Sequence, residues 1–245
     1  MHQRRLGSLS VSAVGLGCMG MTGVYGAADE IEAIATIDEA IDLGVNLLDT
    51  AEFYGPFRNE KLLGRALRGK RDRAVIATKF GFSFTTDGKM TGLDSRPEHV
   101  RTVCDQSLAR LGIDCIDLLY QHRVDPSVPI EDTIGAMADL VRAGKVRALG
   151  LCEAAPGTIR RAHAVHPISA VQTEYSLLER NVETAILPAC RELQIGFVPY
   201  CPLGRGFLTG SAKPAEEADA SDVRSRLYPR FRATIFGPIK SWLRQ

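Results

Sequence analysis

Residues 116–151 read IDLLYQHRVDPSVPIEDTIGAMADLVRAGKVRALGL. The apolar run Ile116 to Gln121 stops at His122, a helix-like stretch follows, and a second run starts at Val146. Gly144 stands where that helix should end, because glycine tolerates the left-handed turn that closes helices. Strand, helix and strand in this order make a parallel crossover unit. The pattern recurs: Ala13 to Leu16, Val45 to Leu48, Ala74 to Thr78, Ala170 to Thr173 and Ile195 to Tyr200 are further runs, giving seven βα-type strands without a convincing eighth. Asp29 is expected to cap a helix with Ile31, Ile34, Ile37 and Ile41 near one face. Ser95 to Glu98 reads as a capping box before Val100, Val103, Cys104, Leu108 and Leu111, and Gly44, Gly112 and Gly196 read as further helix stops.

An open, doubly wound sheet also alternates in this way, so the polar residues decide. Asp49, Lys79, His122, Cys152, Gln172 with Glu174, and Tyr200 all fall at the carboxyl ends of successive strands. In a barrel those ends meet at one mouth, whereas in an open sheet they spread along a line. The expected fold is therefore α/β, a (β/α)8 TIM-barrel type, incomplete, with the eighth strand and last helices missing.

With 245 residues, 45% of them hydrophobic, the chain can bury the core of one such domain. A net charge of +1 gives no field for nucleic acid, although residues 221–245 hold six basic side chains against Asp222 alone. Arg58, Arg65, Arg68, Lys70, Arg71 and Arg73 cluster without interleaved aromatics, so nucleic acid is not expected. The six cysteines form no CxxC pair and read as reduced thiols. His163 and His166 lack further ligands nearby, so no metal is expected. The absence of a signal-like or membrane-length apolar run points to a cytoplasmic protein without a membrane role.

Asp49, Tyr54, Lys79 and His122 supply an acid, a phenol, an ammonium and an imidazole. Taken singly, each has a structural reading as a turn residue, loop aromatic, solvated strand end or core histidine. Together they can donate a proton to a carbonyl while a cofactor delivers hydride. An ammonium about 4 Å from a phenolate favours it by roughly 4 kcal/mol at an effective dielectric near 20, so Lys79 is expected to bring Tyr54 well below the ordinary phenol value. Asp49 would hold and moderate that lysine, and neutral His122 would orient the substrate oxygen. Gly15 to Gly20 fits GxGxxG, but no helix start follows to receive a phosphate.

The segments LLDTAEFYGPFRNEKLLGRAL, VIATKFGF, LLYQHRVDPSVPIEDTIGAMADLVRAGKVRALGL, ISAVQTEYSLLER and GFVPYCPLGRGFLTG resemble the aldo-keto reductase superfamily, particularly its perakine-reductase-like and auxin-induced-like branch, from about Leu6 to Gly210. The resemblance implies a catalytic tetrad of Asp49, Tyr54, Lys79 and His122, with Tyr54 as general acid. It implies NADPH as cofactor and an aldehyde, ketone or quinone as substrate, with loops such as Ser83 to Asp94 setting substrate choice. Cofactor contacts would come from Gln172 at the carboxamide, Tyr175 stacked on the nicotinamide, Cys152, Glu153 and Cys201, and from Pro202, Leu203, Gly204 and Gly206 over the pyrophosphate. The family usually has serine at positions 152 and 201, and a thiol is the weaker donor, which implies a looser cofactor grip there.

Residues 1–210 are thus expected to form the barrel and 211–245 an atypical basic tail. Relatives continue through an eighth strand and the residues that read the adenosine phosphate, so the barrel is expected to stay open, with self-association at its edge. Phe231, Ile235, Phe236, Ile239, Trp242 and Leu243 recur at helical spacing, interrupted by Gly237 and Pro238; Ala233 to Phe236 is an alternative surrogate strand. The competing expectation is a truncated, non-catalytic cofactor-sensing or partner-binding protein, or an inactive product.

Overall fold

The computed structural model describes residues 1–210, 212–217, 222–232 and 234–235. Its strands are β1 (Gln3–Leu6), β2 (Leu9–Ser12), β3 (Leu16–Gly17), β4 (Leu47–Asp49), β5 (Val75–Phe80), β6 (Phe82–Phe84), β7 (Met90–Leu93), β8 (Ile116–Gln121), β9 (Val146–Cys152), β10 (Ile168–Glu174) and β11 (Gly196–Tyr200). Its helices are α1 (Glu30–Asp42), α2 (Arg58–Ala66), α3 (Pro97–Leu111), α4 (Ile130–Arg142), α5 (Pro156–Val165), α6 (Ile186–Glu192) and α7 (Val223–Leu227).

Seven parallel strands in the order β11-β10-β9-β8-β5-β4-β3 form a nearly closed barrel of TIM type. Among the described residues no strand joins β11 to β3. The β1–β2 hairpin plugs the floor: Leu6, Leu9 and Val11 pack on Leu47, Ala77, Leu118, Ala148 and Ala170 from inside the barrel. The outward positions, including Leu48, Ile76, Leu119, Leu149 and Val171, pack instead under the helices. This division follows from the two-residue period of a strand. At Gly150 an added Cβ would stand 2.4 Å from the Tyr120 ring, so the glycine makes room for that ring inside the barrel. At Gly64 it would stand 2.5 Å from the Leu111 carbonyl, which is how closely α2 approaches the end of α3.

Asp29 caps α1 as expected, its Oδ1 accepting from the Glu32 N–H at 2.9 Å. The capping box does not form. Arg96 occupies the cap of α3 without a side-chain bond, while the buried Ser95 hydroxyl accepts from Gln121 Nε2 at 2.9 Å. A buried amide with no water to bond competes more strongly for that hydroxyl than the helix start does. Gly44, Gly112 and Gly144 take the left-handed conformation, but Gly196 begins β11, and Gln194 has the positive φ of 55° after α6. Gly196 serves the floor instead, where an added Cβ would meet Leu6 at 2.4 Å.

After β11 the chain folds back over the mouth. The Val223 N–H donates to the Val24 carbonyl at 3.1 Å, and Phe231 stacks edge-on against Phe207 at 5.7 Å. Ile235 lies outside any strand, and Phe236, Ile239, Trp242 and Leu243 fall outside the described residues.

Candidate active site

The strand parity that buries Leu47, Ala77, Leu118, Ala148 and Ala170 on the floor carries Asp49, Lys79, Cys152 and Gln172 to the mouth of the same interior. His122 follows β8 in that register, and Tyr200 ends β11 facing the same way. Here a cavity of about 530 Å³ is lined by Asp49, Tyr54, His122, Gln172, Cys201, Pro202, Leu203 and Gly206 among the anticipated residues. Gly17, Met19 and Gly20, from the discounted glycine-rich stretch, also line it, as do Tyr25, Phe53, Phe82, Arg123, Tyr200, Arg205, Arg224 and Tyr228.

Lys79 forms the centre. Its ammonium is 1% exposed, is ion-paired to Asp49 Oδ1, and donates to the Thr50 carbonyl at 2.9 Å and to the Tyr54 hydroxyl at 3.2 Å. The other Asp49 oxygen accepts from Gln172 Nε2 at 2.8 Å, linking β4 to β10 across the barrel. The Thr50 loop is pinned in turn: its hydroxyl donates to Asn59 Oδ1 at 2.7 Å, and Asn59 Nδ2 donates to the Cys18 carbonyl at 2.8 Å. The His122 ring meets that of Tyr54 edge-on at 5.8 Å. Phe53 and Phe82, with centroids 4.7 Å apart, complete an aromatic wall beside them.

Burial sets the protonation states. It pushes Tyr54 up to about 12; Lys79 pulls against this and Asp49 reinforces it. The expectation that Lys79 brings the phenol well below its ordinary value is therefore corrected, because the cost of burying a phenolate outweighs the ammonium that Asp49 partly neutralises. Burial also works against the charge on Lys79, but the Asp49 carboxylate and the Tyr54 hydroxyl more than offset it and hold the ammonium above its ordinary value. His122 is pushed well below its ordinary value by burial, then by Lys79 and Arg123, so it is a neutral imidazole. Its Nδ1 is buried and has no hydrogen-bond partner among the described residues.

The remaining anticipated residues lie elsewhere. Cys152 is buried beneath Gln172, its thiol 3.9 Å from Oε1. Glu153 lines a neighbouring recess with Thr173, Glu174 and Tyr200, and Gly204 sits in the loop but outside the cavity lining. Tyr175 is not brought to the cavity. Its hydroxyl donates to Glu183 at 2.8 Å and its ring packs on Phe197, a residue of outward parity. Tyr200 is the tyrosine of this pair that faces the mouth, and counting strand parity from Gln172 and Val198 gives both assignments. Arg123, Arg224 and Tyr228 were not anticipated. Arg123 adjoins His122 in sequence, whereas no local pattern marks the other two, which only the returning chain brings there.

Around the Cys201–Gly206 loop, Arg205 Nη2 donates to Glu174 at 2.7 Å and its guanidinium covers the Tyr228 ring at 4.1 Å. Arg230 reaches Glu174 at 3.5 Å, and Arg224 pairs with Asp222 at 2.7 Å. Among the described residues no group of histidines, cysteines or carboxylates is arranged to hold a metal, and no helix is long and apolar enough to cross a membrane.

The fold recurs in solved structures. A glycerol dehydrogenase from Gluconobacter oxydans is 32% identical with a TM-score of 0.88, over 99% of this chain and 75% of that one. An aldo-keto reductase from Bacillus halodurans, in its holo form, is 33% identical with a TM-score of 0.79, over 85% and 68%. An aldo/keto reductase from Klebsiella pneumoniae, solved with NADP and acetate, is 29% identical with a TM-score of 0.70, over 80% and 66%. The model of the aldo/keto reductase family matches residues 13–235, and with barrel, mouth and relatives in agreement the chain belongs to that family of oxidoreductases.

Proposed function

We propose that the chain is a carbonyl reductase that uses NADPH and acts on an aldehyde, ketone or quinone. The observation that carries this reading is the buried Lys79 ammonium, fixed by Asp49 and hydrogen-bonded at 3.2 Å to the hydroxyl of Tyr54 on the cavity wall. In this reading Tyr54 gives its proton to the carbonyl oxygen, Lys79 stabilises the phenolate left behind, Asp49 holds the lysine, and neutral His122 orients the oxygen. A phenol held at about 12 keeps its proton at neutral pH, and an oxygen becoming an alkoxide is basic enough to take it.

The residues fit the cofactor. Among the described residues, Arg205 Nε and Arg230 Nη1 are buried without hydrogen-bond partners, and the guanidinia of Arg205, Arg224 and Arg230 outnumber the carboxylates of Glu174 and Asp222 paired with them. Such an excess suits a pyrophosphate over Cys201, Pro202, Leu203, Gly204 and Gly206. Gln172 would hold the nicotinamide end with Tyr200, rather than Tyr175, as its aromatic platform, and Cys152 and Glu153 would support them from below and beside. When bound, NADPH supplies the hydride. We read residues 1–210 as the catalytic barrel and residues 222–232 as a cover on its cofactor side.

Tyr54→Phe tests the assignment, because it keeps the buried ring and removes only the hydroxyl. Aldehyde-dependent loss of the reduced cofactor's absorbance should fall about 10²-fold or more, with NADPH binding retained. Undiminished turnover would end the role given to Tyr54. NADPH binding without turnover in the unaltered protein favours the cofactor-sensing alternative.

A further inference from the structure

Among the described residues three cations line the cavity: Arg123, Arg205 and Arg224. Arg205 is ion-paired with Glu174, and Arg224 with Asp222. Arg123 donates from Nη1 to the His122 carbonyl at 2.7 Å, but among the described residues it has no carboxylate partner. A guanidinium offers five N–H donors in a planar fork that matches a carboxylate, so most of its capacity is unused. It is half-buried on the wall that also presents Tyr54, His122 and the aromatic pair Phe53 and Phe82. A cation left unpaired in a part-apolar cavity is costly unless something of opposite charge arrives with the ligand.

We propose that Arg123 is a specificity residue that binds a carboxylate carried by the carbonyl substrate, making the preferred substrates oxo acids or carboxyl-bearing aldehydes. The proposal rests on the carbonyl-reductase reading above. The aromatic wall takes the carbon skeleton, Tyr54 and His122 take the carbonyl oxygen, and the guanidinium takes the acid group. One unpaired guanidinium matches a singly charged carboxylate better than a phosphomonoester, whose second charge would find no counterpart on this wall.

The test compares 4-carboxybenzaldehyde with 4-nitrobenzaldehyde, whose nitro group copies the shape of a carboxylate without its charge. The ratio of kcat/KM values, carboxy over nitro, should fall about tenfold or more in Arg123→Met, chiefly through KM for the carboxy compound, and Arg123→Lys should recover part of it. A ratio that moves less than about twofold in Arg123→Met overturns the proposal, as does a loss shared equally by both aldehydes. If the unaltered protein turns over neither aldehyde, the reductase reading has failed, and the anion site is read separately by ligand-observed NMR titration with benzoate and benzamide. Benzoate preference that disappears in Arg123→Met then supports the carboxylate site; equal binding of the two, or no binding, refutes it.

Discussion

Replacing Lys79 by methionine removes the ammonium while keeping an unbranched side chain of similar reach. In the structure the charge lies 3.2 Å from the Tyr54 oxygen. At an effective dielectric near 20 its attraction for a phenolate is about 5 kcal/mol, and the Asp49 carboxylate ion-paired to it cancels roughly half or more of this. The remaining ~2 kcal/mol corresponds to about thirtyfold in turnover, before any loss from a hydroxyl that is no longer held in place. Lys79→Met should therefore lower kcat at least about thirtyfold, with the dissociation constant for NADPH changed only slightly. Steady-state aldehyde reduction and a fluorescence titration with NADPH measure the two quantities. The double variant Asp49→Asn with Lys79→Met should be more stable to heat than Lys79→Met alone, because it leaves no half-buried carboxylate without its cation. A folded Lys79→Met protein that turns over within about threefold of the parent would refute the electrostatic role of the ammonium.

Glu52, 1% exposed, accepts the Gly81 and Phe82 N–H groups at 3.0 and 3.3 Å, and burial pushes it up to about 7 from 4.5. Between those values the folded chain keeps a proton that the unfolded chain has lost, so this contribution is fully present below about 4.5 and is lost as pH rises through about 7. Glu52→Gln, neutral throughout, should gain thermal stability over the parent between pH 6 and pH 8, tending toward about 3 kcal/mol; parallel melting curves at the two pH values would contradict this. Gly64→Ala places a Cβ 2.5 Å from the Leu111 carbonyl, so α2 and α3 must separate. A loss of about 2 kcal/mol or more is expected in urea unfolding, and a neutral effect would show that the two helices slide freely.

Much of this site is legible in the sequence because a strand's period is two and its end is marked by the first polar residue of the inward set. Asp49, Lys79 and Gln172 are found that way. Tyr175 misleads since it follows Gln172 closely in sequence, yet its parity turns it out toward Phe197, while Tyr200 on the next strand turns in. The Ser95 motif misleads for another reason: a buried Gln121 amide claims the hydroxyl that a helix start would use. The protonation of Tyr54 could not be read either, because charge pairing is visible in residue types but burial is not.

Local pattern alone determined the βα repeat, the inward and outward faces of each strand, and which side chains end at the mouth, since all of these depend on spacing along the chain. Tertiary structure decided which of those side chains touch, what burial does to their protons, and how Arg123, Arg224 and Tyr228 come to face the same cavity. Those outcomes depend on distances between segments far apart in sequence and on the exclusion of water between them, neither of which any single stretch encodes.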